Sequence, residues 1–146
     1  MRLLSVFSGI GGFDLGFERA GFRVDRANDN DPSLLTIYAM QHPKTALMYE
    51  PIESIEWGLH REGITGIIGG PPCQSWSAAG SKKGVKDPRG KVFFEFVRAI
   101  HEVKPLFFVA ENVPGILAAR HSSALRRILS RLEGAGYKVT RALLDA

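Results

Sequence analysis

The sequence contains a single cysteine, Cys73, and it has no long apolar run. One cysteine excludes an internal disulfide and the paired-cysteine patterns of zinc sites, and it is typical of proteins in a reducing, intracellular compartment. No segment approaches the roughly 20 apolar residues that a membrane-spanning helix needs. The short apolar start of the chain is interrupted at once by serine and glycine, so it predicts a buried strand and not a signal peptide. We therefore expect a cytoplasmic protein.

Histidine is also scarce, and the four histidines are scattered without the spacing of metal ligands. We therefore expect no metal site and interpret these side chains as exposed or half-buried polar residues. The 146 residues carry a net charge of +4, and 45% of them are hydrophobic. This composition is ordinary for a globular protein, and the mild positive excess permits phosphate binding without establishing it. No repeat or linker divides the sequence, so we expect one domain over residues 1–146.

Short apolar runs alternate with segments of helical period along the chain. Strands are predicted at 3–6, 22–27, 45–49, 64–70, 105–110 and 137–144, and helices at 11–21, 31–42, 91–103 and 122–136. Asp31 is expected to cap the second helix, with Pro32 at its first position. The alternation predicts an α/β fold with a mostly parallel sheet and helices on both faces. In such sheets ligands bind beyond the carboxyl ends of the strands, here after Val6, Ala27, Ile68 and Ala110.

Glycine and acidic residues follow the first two predicted strands. The turn FSGIGG, residues 7–12, places glycines between a strand and a helix, where the backbone can approach an anionic ligand closely. A tight turn that needs glycine for its backbone angles explains the same pattern, and the motif alone does not separate the two. Asp29 is placed to accept hydrogen bonds from ribose hydroxyls, and helix capping is the alternative role of this acidic run.

The fourth and fifth predicted strands end in residues that suit covalent chemistry. Cys73 follows Pro71 and Pro72, which fix the backbone and place the thiol rigidly, as a nucleophile requires. An inert, small hydrophobic cysteine is the alternative. Glu111 follows an apolar strand, where burial would disfavour its charge and let it hold or donate a proton at neutral pH. A glutamate that bonds backbone amides in the turn is the alternative, and Cys73 on the neighbouring strand end favours the chemical role.

Four motifs in this order, FSGIGG, GGPPCQSWS, KGVKDPRGKVFFEF and ENVPG, resemble the first half of the DNA cytosine-5 methyltransferases. The resemblance extends over essentially the whole chain, and the proline–cysteine motif followed by Glu-Asn-Val is highly specific. It implies a Rossmann-like class I methyltransferase fold, S-adenosylmethionine as cofactor and double-stranded DNA as substrate, in restriction-modification or gene regulation. The alternatives are an RNA methyltransferase and a non-catalytic cofactor- or DNA-binding remnant or regulatory subunit.

The resemblance also implies roles for individual residues. Cys73, in the catalytic group with Pro72, would attack C6 of a cytosine flipped out of the duplex. Glu111 would bond the ring nitrogen and the exocyclic amine, and Asn112 would hold the cysteine loop. Methyl transfer to C5, loss of the C5 proton and expulsion of Cys73 would complete the cycle.

The same resemblance implies two sets of binding residues. Asp29 would bind the ribose and Glu50 would lie near the adenine. The implied cofactor site comprises Phe7, Ser8, Gly9, Ile10, Gly11, Gly12, Asp29, Asn30, Glu50, Pro51, Pro71 and Val92. The implied DNA contacts are Gln74, Ser75, Ser77, Lys82, Lys83 and Arg89. Apart from Gln74, they lie in residues 75–90, a stretch that resembles the loop which closes over DNA in this family.

Two departures from the family pattern change what we expect. Asn30 stands where an aromatic residue often follows the ribose-binding acid, so adenine stacking is expected from elsewhere, with Trp57 as one candidate. Family members continue into a Gln-x-Arg-x-Arg motif, a target recognition region and a final helix. We therefore expect a sheet that is incomplete at its C-terminal end, with strand 137–144 lacking its neighbour. A second subunit, self-association or a longer parent chain would supply the missing part.

Overall fold

This computed structural model of the chain describes residues 1–72 and 88–144. Within that part there are five strands: β1 (Arg2–Val6), β2 (Arg23–Asn28), β3 (Ala46–Met48), β4 (Gly66–Gly69) and β5 (Phe107–Ala110). The described helices are α1 (Gly12–Arg19), α2 (Pro32–Gln41), α3 (Pro88–Val103) and α4 (Ser122–Gly134). Short 3₁₀ turns cover Ile52–Ser54, Trp57–His60, Pro114–Leu117 and Ala119–His121. None of the described helices is long and apolar enough to cross a membrane.

The five described strands form one parallel sheet in the order β3-β2-β1-β4-β5. Val6 pairs with both Asn28 and Gly69, so β1, β2 and β4 end at the same level. The chain runs outward from β1 to β3 and then adds β4 and β5 on the other side of β1. Parallel crossovers are right-handed as a rule, so connections that run in these two directions are expected to lie on opposite faces, with a ligand-binding crevice where the direction changes. The predicted parallel α/β architecture is confirmed.

Three inner strands, β2, β1 and β4, have neighbours on both sides, and of these β1 and β4 are the most completely buried. Their apolar side chains are fully buried: Leu3, Leu4, Val6, Ile67 and Ile68. The predicted apolar face of α1 is confirmed by edge-to-face aromatic contacts. The ring centroids of Phe13 and Phe17 lie 5.2 Å apart, and those of Phe17 and Phe22 lie 5.5 Å apart. Phe17 and Phe22 pack on the buried cluster that includes Leu3, so they attach α1 to the sheet.

The chain divides into two compact units. The first unit, Met1–Pro71 with Arg98–Glu111, contains the whole described sheet, and the second comprises Pro72–Val97 and Asn112–Ala146. In the second unit α4 buries one apolar stripe, formed by Ala124, Ile128 and Leu132. The guanidinium groups of Arg127 and Arg131 lie 5.5 and 4.9 Å from the ring centre of Phe94. These cation–π contacts keep two like charges of α4 over one aromatic ring.

Two predictions about the later strands are wrong. The predicted strand at 137–144 has no regular secondary structure, because a strand needs a hydrogen-bonding neighbour and no described strand provides one. The apolar sequence of the fifth strand also predicts burial at its end, next to Glu111, but Val109 is 38% exposed. The physical reason is that, among the described residues, β5 pairs with β4 alone. The predicted cap of α2 is confirmed, since the Ser33 N–H donates to Asp31 Oδ1 at 2.9 Å.

At the amino ends of the strands, away from the crevice, one buried carboxylate binds two arginines. Arg2 Nε donates to Asp25 Oδ2 at 2.8 Å, and Arg23 Nε donates to Asp25 Oδ1 at 2.7 Å. The Asp25 side chain is 6% exposed. Chiefly because of the hydrogen bond from Arg2, the pKa of Asp25 lies below its usual value. A carboxyl with a depressed folded-state pKa stabilises the fold above its unfolded pKa, and that contribution is lost as the pH falls through the folded pKa.

We therefore expect Asp25→Asn to lower stability near neutral pH and to reduce the loss of stability on acidification. Urea unfolding at about pH 7 and about pH 3 would measure this, since the interval includes the usual carboxyl pKa. The prediction would be contradicted if the free energy of unfolding of Asp25→Asn fell between these two pH values by as much as that of the original chain.

Candidate cofactor and catalytic site

The turn between β1 and α1 is built from left-handed backbone. Phe7, Gly9 and Gly11 have φ angles of 59°, 55° and 87°. For Phe7, which carries a Cβ, this conformation costs about 1–2 kcal/mol, and such strain is typical of ligand sites. The Ser8 N–H donates to the Asn28 carbonyl at 3.0 Å, and the Gly11 N–H donates to the Ser8 carbonyl at 2.9 Å. The turn is thereby fixed to the end of β2.

Gly11 lies against a buried histidine. His42 Nε2 donates to the Gly11 carbonyl at 3.2 Å, and His42 Nδ1 lies 2.9 Å from a carboxylate oxygen of Glu18. A Cβ at Gly11 would lie 2.3 Å from His42 Nε2. The interpretation of the histidines as exposed or half-buried is wrong for His42 and His121, which are each 3% exposed. His42 stabilises the turn. The spacing of the histidines could not reveal this role, because the partners of His42 are far from it in sequence.

A buried carboxylate beneath the turn was also missed. Asp14 is 1% exposed, and it accepts hydrogen bonds from Ser5 Oγ and Tyr38 Oη, each at 2.7 Å. Desolvation raises the pKa of Asp14, and the two hydroxyl donors oppose that shift. Burial and the nearby Asp14 likewise raise the pKa of Tyr38. The available signal was that Asp14 lies three residues before Phe17, on the same side of α1.

Asp29 lies beside the glycine turn. Its Oδ2 accepts from the Gly9 N–H at 2.9 Å, and its Oδ1 accepts from the Asp31 N–H at 3.1 Å. The carboxylate therefore joins the turn to the start of α2, and each oxygen keeps acceptor capacity for a hydroxyl donor. The following Asn30 is exposed.

Glu50 and Pro51 follow β3 and are both exposed. Their turn is attached to β2 by Asn28, whose amide Nδ2 donates to the Met48 carbonyl at 3.0 Å and to the Glu50 carbonyl at 2.9 Å. Trp57 is fully buried, so the suggestion that it stacks on an adenine is wrong. Its ring centroid lies 6.3 Å from that of His60.

Several features of the glycine turn fit a charged, ribose-containing cofactor. Ser8 Oγ is buried and has no hydrogen-bond partner among the described residues, and such a hydroxyl is costly unless a ligand satisfies it. The space that a Cβ at Gly9 would occupy is open. The exposed Ile10 and Gly12 complete the turn, and α1 begins there with amides that favour a negatively charged group.

The ends of β4 and β5 lie side by side. The Glu111 N–H donates to the Gly69 carbonyl at 2.9 Å, and Glu111 Oε2 lies 3.3 Å from the position of a Cβ on Gly70. The chain then leaves β4 through the buried Pro71. The predicted burial of Glu111 is wrong, because its side chain is exposed at the end of a strand with one described neighbour.

The remaining predicted residues belong to the second unit. Pro72 is exposed, Val92 is partly buried on α3, and Asn112 Oδ1 accepts from the Val113 N–H at 3.0 Å. The predicted nucleophile and DNA contacts lie outside the described residues: Cys73, Gln74, Ser75, Ser77, Lys82, Lys83 and the side chain of Arg89. Their roles stay predictions. Across residues 1–72 and 88–144, no group of three or more suitable side chains could hold a metal ion.

The whole chain, residues 1–146, matches the family model of the C-5 cytosine-specific DNA methylases. The chain belongs to this family. It is 47% identical to the type II methyltransferase M.NgoPII of Neisseria gonorrhoeae over 146 residues, which are 100% of this chain and 43% of that protein. It is also 47% identical to M.FnuDI of Fusobacterium nucleatum, again over 100% of this chain and over 42% of that protein.

The fold of this chain is also similar to that of a solved DNA methyltransferase. The crystal structure of a DNA modification methyltransferase encoded within an Escherichia coli prophage superposes with a TM-score of 0.78 and 33% identity, covering 92% of this chain and 38% of the other. The predicted Rossmann-like methyltransferase fold is confirmed, and the family uses S-adenosylmethionine as methyl donor. The chain spans less than half the length of these three relatives.

Proposed function

We propose that this chain carries the S-adenosylmethionine site and the catalytic residues of a DNA cytosine-5 methyltransferase of a restriction-modification system. The observation that carries the proposal is the common level of the strand ends. Gly69 at the end of β4 pairs with Val6 of β1 and with Ala110 of β5. The glycine turn, the segment that leads to Cys73 and the residue Glu111 therefore all leave the sheet at one edge, where parallel sheets bind ligands.

In this proposal the first unit holds the cofactor. S-adenosylmethionine, when bound, supplies an activated methyl group. Asp29 accepts a hydrogen bond from the ribose, and the Glu50 turn lies near the adenine. The Ser8 hydroxyl, which lacks a partner among the described residues, donates to the cofactor, and the first amides of α1 favour its carboxylate.

The proposed chemistry follows from the weak nucleophilicity of cytosine C5. The target base leaves the helical stack, at a cost of a few kcal/mol that contacts to the protein offset. The Cys73 thiolate forms a bond to C6, which makes C5 enamine-like. Glu111 bonds the ring nitrogen and the exocyclic amine and stabilises the charge that develops there. C5 would take the methyl group from the sulfonium sulfur, which would leave as S-adenosylhomocysteine. A base such as water would then remove the C5 proton, and the C–H electron pair would re-form the C5–C6 double bond as the C6–S bond breaks, which would release the base and restore the thiolate.

The test is transfer of a labelled methyl group from S-adenosylmethionine to mixed-sequence duplex DNA. The chain is assayed alone and together with a second polypeptide that supplies the remaining length of a relative such as M.NgoPII. We expect label in DNA, and we expect Cys73→Ser to reduce the rate by at least about a thousandfold, as removal of a nucleophile does. Duplex and single-stranded RNA are assayed in parallel, because label in RNA alone would indicate an RNA methyltransferase.

Binding of S-adenosylhomocysteine separates the remaining outcomes. Folded protein that binds this product but transfers no label in either arrangement would contradict the catalytic part of the proposal and support a non-catalytic binding module. A Cys73→Ser variant with unchanged transfer would show that another residue is the nucleophile.

A further inference from the structure

Hydrogen bonds from both sides of the crevice meet at Asn28, the last residue of β2. The Asn28 carbonyl accepts from the Ser8 N–H at 3.0 Å, on the side of the glycine turn. The amide Nδ2 donates to the Met48 carbonyl at 3.0 Å and to the Glu50 carbonyl at 2.9 Å, on the side of β3. The next residue, Asp29, donates its N–H to the same Met48 carbonyl at 3.3 Å. One residue thus contacts both turns of the proposed cofactor site.

The chemistry at this position requires asparagine. Both hydrogen-bond partners of the Asn28 amide are carbonyl oxygens, so the NH₂ group must face them and both of its hydrogens are used. The residue is 1% exposed, so water does not replace a lost donor. Aspartate has the same shape but would set a carboxylate oxygen against two carbonyl oxygens, and serine would supply one hydrogen instead of two.

The contacts of Asn28 fix two groups that are distant in sequence. The bond to the Glu50 carbonyl draws the turn after β3 back to the end of β2, across 22 positions. The adjoining Asp29 carboxylate is held on the other side by the Gly9 N–H at 2.9 Å. A buried side chain whose two amide hydrogens are both bonded therefore sets the separation between the Asp29 carboxylate and the Glu50 turn.

We propose that Asn28 is a positioning residue of the cofactor site, which holds Asp29 and the Glu50 turn in the arrangement that binds the nucleoside half of the cofactor. It acts through these two neighbours and does not touch the cofactor itself. The inference rests on the proposed function, because that function assigns the ribose to Asp29 and the adenine side to Glu50.

The experiment measures S-adenosylhomocysteine binding to the 146-residue chain by calorimetry, with Asn28→Ala, Glu50→Ala and the double variant. We expect Asn28→Ala to weaken binding by about tenfold to a hundredfold, because the Glu50 carbonyl loses its bond to the end of β2 and the Met48 carbonyl keeps only the Asp29 N–H. Because both residues act through one turn, the double variant should bind about as weakly as the weaker single variant. Methylthioadenosine, which contains the nucleoside without the amino acid, should show the same loss.

Thr45→Val is the matched control. Thr45 Oγ1 donates to the Val24 carbonyl at 3.0 Å, so this variant also removes a side-chain hydrogen bond to a strand carbonyl but touches neither turn. Its affinity should stay within about twofold of the original chain, as for substitutions outside a site. Asn28→Ser keeps one donor and should be intermediate, and it serves as the test variant if Asn28→Ala does not fold. Melting curves establish that each variant is folded at the assay temperature.

Original affinity in Asn28→Ala, or losses that multiply in the double variant, would overturn the positioning role. Amide hydrogen exchange distinguishes this failure from failure of the proposed function. If the original chain binds no S-adenosylhomocysteine, the proposed cofactor site fails. Asn28→Ala should then still accelerate exchange at Asp29, Ser54 and Ile55, whose amides are hydrogen-bonded around this turn, whereas Thr45→Val should not. Unchanged exchange at these amides would overturn the inference by itself.

Discussion

Gly11→Ala is expected to abolish measurable binding of S-adenosylhomocysteine and to lower the free energy of unfolding by about 2–5 kcal/mol. Gly11 has a φ angle of 87°, which disfavours any residue with a Cβ. The new Cβ would lie 2.3 Å from His42 Nε2 and 2.9 Å from Tyr38 Cδ2. Both neighbours are buried rings, so neither can swing into solvent, and the turn itself must move away from Asp29.

The control is Gly16→Ala in α1, the helix that follows Gly11. A Cβ at Gly16 would meet nothing within 4 Å, so this substitution should stabilise the chain by up to about 1 kcal/mol through helix propensity. The combination Gly11→Ala with His42→Ala removes one of the two rings that obstruct the Cβ. The loss of stability in the double variant should be smaller than the sum of the losses in the two single variants, because the two changes share one contact. Circular-dichroism unfolding would measure all four variants, and a stable Gly11→Ala with normal binding would disprove the steric argument.

The parts of the site that depend on the order of elements were predictable from the sequence. Strand–helix alternation predicts a parallel sheet, and the carboxyl ends of its strands carry the glycine turn, Asp29, Glu50 and Glu111. The hydrogen bond between Gly9 and Asp29 spans 20 positions, yet the strand-end rule brings the two together because their strands are neighbours. Local pattern and topology are enough for these residues.

Other parts depend on tertiary contacts that no local pattern contains. His42 reaches the Gly11 carbonyl across 31 positions, and Tyr38 reaches Asp14 across 24. Helical periodicity identifies the buried face of α1 but does not show which polar partners lie opposite it. The exposure of Glu111 and the absence of a strand at 137–144 have a related cause. Both depend on which strands pair beside β5, and an apolar run does not identify its own neighbour.

Asp14→Ala is expected to lower the free energy of unfolding by about 2–4 kcal/mol near neutral pH. The reason is that the hydroxyls of Ser5 and Tyr38 would lose their acceptor inside the core, and an unsatisfied buried polar group costs about 1–3 kcal/mol. Tyr38→Phe and Ser5→Ala each remove one donor and leave Asp14 with the other, so each should cost less than Asp14→Ala. In a double-mutant cycle, Tyr38→Phe should have a smaller effect when Asp14 is already alanine.

Asp14→Asn tests the charge of the same carboxyl through pH. The pKa of Asp14 is raised in the folded chain, chiefly by desolvation. Between the unfolded and folded pKa values the folded state therefore binds more protons, so the contribution of Asp14 falls as the pH rises through that interval. This sign is opposite to that of Asp25, whose pKa is lowered. Urea unfolding across the acidic range measures this as the free energy of unfolding of each variant relative to the original chain. As the pH rises, Asp14→Asn should gain stability relative to the original chain, whereas Asp25→Asn should lose it. The same direction of change in both variants would mean that burial does not control the charge of Asp14.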